Sequence, residues 1–176
     1  MFDRDQFIAD CRAALDGERT SRNVREVVAR AVSDPAAVTK CLGEKTGGID
    51  VLHRSTELTI LNLYWPANMV IMPHNHLMWA VVGVYSGRED NILWRRLPEA
   101  TDGRIEAAGA KALCSKDAVA FGADLIHSVV NPITRTTGAL HVYGGDFFAA
   151  ARSEWDPEAL SERPYDNEKV ARMFAR

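Results

Sequence analysis

Between Gly47 and Tyr143 the chain breaks into short stretches rich in β-branched and alternating apolar residues, each closed by a turn signal. Strands are expected at about Asp50–His53, Leu58–Trp65, Met69–His76, Trp79–Tyr85, Asp90–Arg96, Lys111–Cys114, Ala118–Phe121, His127–Val130 and Ala139–Tyr143. Ser86-Gly87, Asp102-Gly103, Gly122, Asn131-Pro132 and Gly144-Gly145 punctuate them. Many short strands at regular spacing imply an all-β core, folded as a sandwich or barrel of the jelly-roll type.

The 45 residues before this region read as helical. Asp3 and Gln6 stand at capping-box spacing, and Phe7, Cys11 and Leu15 recur every four residues, in a helix expected to stop near Gly17. Val24, Val27, Val28 and Ala31 stripe a second helix over Asn23–Val32; Ser33-Asp34-Pro35 opens a third that Gly43 closes. These apolar stripes need a surface, and the outside of the barrel provides one. The tail is polar, with short helices expected after Asp156-Pro157 and around Val170 and Phe174, outside the barrel or over its mouth. At 176 residues the expectation is a single domain: helical segment 1–45, barrel 46–150, tail 151–176.

The balance of 47% hydrophobic and 26% charged residues is that of a soluble globular protein. A net charge of -3 with scattered basic residues argues against a nucleic-acid partner. Met1-Phe2-Asp3-Arg4-Asp5 lacks the layout of a secretory signal and no apolar run approaches a membrane span, so a cytoplasmic protein without a membrane partner is expected. Cys11, Cys41 and Cys114 are far apart and form no CxxC pair, which suits reduced thiols.

The apolar run from Leu58 to Met72 leads into Pro73-His74-Asn75-His76. On a strand, His74 and His76 share one face and can grip one metal ion. A hairpin or two would return His127, about fifty residues later, to the same place. Alone, a His-X-His is more often a satisfied polar pair than a ligand pair. His53 has no such context and reads as an ordinary strand residue.

Here the chain resembles the cupin superfamily, whose double-stranded β-helix is a jelly-roll barrel. His74, His76 and Gly87 match its first motif, and His127 with Asn131 its second. The glutamate usual in the first motif is absent, with Ala80 and Val81 in its place, leaving three neutral imidazoles. That pattern is similar to the cysteine dioxygenase-like thiol dioxygenases, closest to the bacterial 3-mercaptopropionate dioxygenase type. Trp65, the segment Trp79–Gly87 and Leu140-His141-Val142-Tyr143 support the likeness. The family's serine-histidine-tyrosine relay has Ala139 at the serine position, so only His141 and Tyr143 are expected, with no third partner for His141. With Ala80 and Val81 where some members carry a cysteine, no cysteine-tyrosine crosslink is expected. Arg152, nine residues after Tyr143, matches the carboxylate-holding arginine of the 3-mercaptopropionate branch; Arg54 reads as a turn residue and does not match that of cysteine dioxygenase.

The resemblance implies a non-haem Fe(II) thiol dioxygenase that converts a small mercapto-acid to its sulfinate, with a small-molecule thiol and O2 as partners. His74, His76 and His127 would hold the metal, His141 and Tyr143 would be catalytic, and Arg152 would bind the substrate. Imidazole suits several divalent metals, so the ligands alone do not choose iron. Three neutral ligands leave the full charge of the ion and open positions that favour an anion such as a thiolate. Trp79, Phe121 and Phe147 are expected as walls. Two other readings stay open: a three-histidine cupin dioxygenase of another class, such as one cleaving a diketone, and a non-catalytic metal-binding sensor cupin.

Overall fold

The computed structural model describes residues 1–17 and 20–175. Helix α1 (Arg4–Ala13) is capped by Asp3, whose carboxylate accepts from the Gln6 amide at 2.8 Å. It stops one turn before Gly17. Helix α2 (Thr20–Val32) begins by Thr20, earlier than its apolar stripe requires. Helix α3 (Pro35–Leu42) has Asp34 as its cap, proline in its first turn, and Gly43 at a φ of 82° after its end.

Eleven strands follow: β1 (Gly48–Arg54), β2 (Thr59–Trp65), β3 (Val70–Asn75), β4 (Ala80–Ser86), β5 (Arg88–Arg96), β6 (Ile105–Cys114), β7 (Ala118–Phe121), β8 (Ile126–Val130), β9 (Thr137–Tyr143), β10 (Ser153–Trp155) and β11 (Glu162–Pro164), with helix α4 (Asn167–Phe174) last. They form two antiparallel sheets, in the order β1-β2-β9-β4-β7 and β11-β10-β3-β8-β5-β6. The inner series β2-β9-β4-β7 and β3-β8-β5-β6 is the strand order of a jelly roll, so the fold is the cupin-type double-stranded β-helix expected.

Alternation sorts the side chains between two cores. Ala80, Val82 and Val84 of β4 and Ala139 and Tyr143 of β9 point into the barrel, while Val81, Tyr85, Leu140 and Val142 meet the helices outside. Phe7, Cys11, Val24, Val27, Val28 and Val32 form the helical side of that outer core. Covered on both faces, β2 is buried along its whole length, which explains why apolar residues occupy both of its faces. Burial pushes the Cys11 thiol up to about 12, whereas Cys41 and Cys114 are exposed; all three are free.

Gly83 lets α2 lie close on β4. A Cβ there would collide with Val28 Cγ1 and stand 3.0 Å from Val32 Cγ1, both on stiff β-branched side chains. Gly83→Val is therefore expected to lower stability by about 2 to 3 kcal/mol, read by urea denaturation.

Three expectations fail. Strand β6 starts at Ile105, because Glu106–Lys111, although exposed and rich in alanine and glycine, is held by pairing with β5. No helix follows Asp156-Pro157; the Asp156 carboxylate instead accepts from the Glu158 and Ala159 amides and makes a turn. The barrel does not end at 150 either. Strand β10 adds to β3 by pairing Glu154 with His74, β11 pairs with β10, and α4 inserts Val170 and Phe174 into the inner core. No helix among the described residues is long and apolar enough to cross a membrane.

Candidate metal centre

His74 on β3 stands directly opposite His127 on β8, and His76 lies just beyond the end of β3. Their rings converge: His76 Nε2 is 3.2 Å from His74 Nε2 and 3.2 Å from His127 Nε2. Two imidazole nitrogens about 2.1 Å from one ion, at an angle of about 100°, lie about 3.2 Å apart. All three residues are buried, with a ligand atom of each within 4.8 Å of the others.

The remaining ring nitrogens show what these contacts are. His74 Nδ1–H donates to the Met72 carbonyl at 3.0 Å, and His127 Nδ1–H donates to Asn91 Oδ1 at 2.7 Å. Each ring therefore presents Nε2 as a bare lone pair. Burial pushes the His74 pKa down to about 4 and those of His76 and His127 well below their ordinary value, so all three are neutral. His76 Nε2 can donate to only one of its two neighbours, leaving unshielded lone pairs face to face. A divalent cation at their centre removes that repulsion, and the residues fit one.

Beside the histidines runs a second set of contacts. The Tyr143 hydroxyl donates to His141 Nδ1 at 3.1 Å, and His141 Nε2–H donates to Glu89 Oε2 at 3.1 Å. Ala139 indeed leaves no serine in the relay, but the expectation that His141 lacks a third partner is wrong: Glu89, on β5, takes that place. Burial raises the Tyr143 pKa far above its ordinary value, with the charge of Arg152 acting in the opposite direction, so Tyr143 is held as a phenol. Ala80 pairs with Tyr143 across β4 and β9, where an alanine offers no sulfur for a crosslink.

Arg152 is not a solvated charge; it is 4% exposed. Its guanidinium is stacked between Phe147 and Tyr165, 3.9 and 4.0 Å from their ring centroids. Nη2 donates to Asn167 Oδ1 at 3.0 Å, while Nε and Nη1 are buried without an acceptor. A buried guanidinium with unused donors is suited to an anion.

The cavity at the histidines is ≈ 40 Å³, walled by Trp65, Tyr143, Phe147, Tyr165, Val170 and Phe174. At about 10 to 15 Å³ of such space per water, it holds a few waters. Outside lies a groove of ≈ 570 Å³ bordered by Arg152, Ser153, Arg163 and Asn167. Tyr165 lines both spaces and partitions them.

The other sequence candidates fall differently. Phe147 lines the cavity, and Phe121 packs against His127 at 5.8 Å between ring centroids. Trp79 is no wall of the site: it precedes β4 at an outward position and packs in the helical core. Arg54 ends β1 rather than sitting in a turn, and pairs with Asp146 through two 2.9 Å bonds. Asn131 ties its own turn to the one that follows β2, its two N–H groups shared among the carbonyls of Trp65, Pro66 and Arg135. Sequence reasoning missed Glu89, Asn91 and Tyr165. Glu89 and Asn91 share a strand face at the i, i+2 spacing of His74 and His76, a signal hidden in the polar run Arg88-Glu89-Asp90-Asn91.

Fold and side chains together define a jelly-roll barrel of the cupin type with a buried three-histidine cluster that can hold a metal ion. No family model matches the chain, and no curated protein matches it in sequence. Among solved structures it is similar to the DMSP lyase DddQ from Ruegeria pomeroyi, at 20% identity and a TM-score of 0.45 over 59% of this chain and 46% of the lyase. It is also similar to BH2720 from Bacillus halodurans, at 15% identity and a TM-score of 0.49 over 62% of this chain and 76% of that one. A mutant of the oxalate decarboxylase OxdC from Bacillus subtilis aligns at 16% identity and a TM-score of 0.44, over 61% of this chain and 28% of the decarboxylase. The alignments span less than half of the lyase and of the decarboxylase, and the likeness is one of strand scaffold.

Proposed function

We propose that this chain is a non-haem Fe(II) thiol dioxygenase that converts a small mercapto-acid to its sulfinate. The observation that carries this reading is Arg152, a buried guanidinium with two unused donor atoms, stacked on Phe147 and Tyr165, two walls of the cavity that holds three neutral imidazoles and a phenol. Bound iron would supply the positive charge that favours a thiolate and the redox chemistry with dioxygen. Sulfur loses four electrons, dioxygen gains them, both oxygen atoms end on sulfur, and the thiol proton leaves to solvent.

The chain's own groups would bind and exclude. Arg152 holds the carboxylate through charge-assisted hydrogen bonds. Tyr143, kept protonated, retains hydrogen-bonding capacity toward a group in the cavity. Phe147, Trp65 and Phe174 keep water from it. A mercapto-acid exceeds the cavity, so its entry requires Tyr165, Val170 or Phe174 to move.

The test is a panel of cysteine, 3-mercaptopropionate, mercaptosuccinate and cysteamine offered to iron-loaded protein, with oxygen uptake and sulfinate measured. Turnover of a carboxylate-bearing thiol is expected; no sulfinate from any thiol sinks the reading. Arg152→Ala should raise the apparent KM for mercapto-acids about 10- to 100-fold, the worth of a hydrogen bond to a charged group, while sparing cysteamine. The closed cavity also favours a non-catalytic metal-binding sensor. Full metal occupancy without oxygen uptake on any thiol or diketone selects that reading.

A further inference from the structure

Glu89 is completely buried, and no lysine or arginine is among its hydrogen-bond partners. Its two oxygens serve different neighbours. Oε2 accepts from His141 Nε2 at 3.1 Å, and Oε1 accepts from Asn91 Nδ2 at 3.1 Å. A carboxylate only accepts, so Asn91 must turn its NH2 toward Glu89 and its carbonyl toward His127. That carbonyl receives His127 Nδ1–H at 2.7 Å, which leaves His127 Nε2 for the ion. One continuous chain thus runs from the Tyr143 hydroxyl through His141, Glu89 and Asn91 to a metal ligand.

We infer that Glu89 is a positioning residue for both halves of the site, holding His127 in its metal-binding form through Asn91 and orienting His141 to accept from Tyr143. It places a carboxylate outside the ligand set, where Ala80 and Val81 put none within it. The ion is then charge-compensated at one residue's remove, as carboxylate partners of ligating histidines commonly do. This rests on the metal reading of the three histidines, and not on which substrate the site takes.

Glu89→Leu keeps about the side chain's volume and leaves no acceptor, so the links to Asn91 and His141 break together. Metal-free wild type, Glu89→Leu, Asn91→Ala and the double variant would be titrated with Co(II) and Zn(II) against a chelator of known affinity, below the unfolding temperature of each. Each single variant should bind about 10- to 100-fold more weakly. The double variant should lose no more than the worse single one, since both changes break the same link to His127. Wild-type affinity in Glu89→Leu, or additive losses, would overturn the proposal. If Glu89→Leu does not fold, Asn91→Ala tests the same link with Glu89 in place, and unchanged affinity overturns it equally. No binding by wild type would instead remove the metal reading itself, and this inference with it.

Discussion

Replacing His76 with alanine is expected to weaken metal binding by about two to three orders of magnitude, because a structural zinc site distributes about 10 to 16 kcal/mol over four ligands, or about 3 to 4 kcal/mol each. His76 is the choice because its Nε2 makes both 3.2 Å contacts, so its loss takes away a ligand and the contact shared by the other two. Its Nδ1 is buried without a partner, so no second hydrogen bond is lost with it. The measurement is chelator competition with Co(II), Zn(II) and Fe(II), against thermal unfolding of both metal-free proteins. Unchanged affinity in His76→Ala would mean that the metal sits elsewhere.

Metal-free protein should lose stability steeply on mild acidification. In the unfolded chain a histidine titrates near 6.5, whereas in the fold burial holds His74 down to about 4 and His76 and His127 well below their ordinary value. Below about pH 6.5 the unfolded state therefore binds more protons than the folded one, and stability falls as pH falls. Each histidine contributes up to about 1.4 kcal/mol per pH unit, so three contribute about 4. By pH 5 His74 alone accounts for about 2 kcal/mol of lost stability, and His76 and His127 add to it in the same direction. Above pH 7 the histidines add no slope. Urea midpoints in chelator from pH 7.5 to 5.5 check this, and a flat profile would mean that the imidazoles reach solvent. His76→Ala should reduce the slope to about two thirds, which ties the two predictions to the same three rings.

The position of Glu89 changes the electrostatics of the site. With Ala80 and Val81 in place of an acid, the histidines alone would leave an ion uncompensated. In the proposed reading the buried side chain of Glu89, linked to His127 through Asn91, would supply the missing charge without occupying a coordination position. Open positions would thus be preserved for the anion that the proposed function assigns to Arg152, once Tyr165 moves from between the groove and the cavity.

Much of this was legible in the sequence, and the same rule explains where it stopped. Strand alternation, helix caps and apolar stripes depend on residues a few positions apart, so the run of short strands, the outer helices and the shared face of His74 and His76 are local facts, whereas the pairing of His141 with Tyr143 was implied by the resemblance to the thiol dioxygenases. The same parity places Trp79 outside, since Ala80, Val82 and Val84 point inward. What the sequence left undecided depends on which strands lie beside one another. Only the seating of β5 against β8 brings Asn91 to His127, and only the packing of β5 with β9 brings Glu89 to His141. Likewise, an arginine among alanines looks solvated until β10, β11 and α4 fold back, put Tyr165 on its face and Asn167 at its Nη2, and close the barrel with Val170 and Phe174. Period-two alternation decides which way a side chain points, but the partner it meets is set by register between strands far apart in the chain, which no single segment encodes.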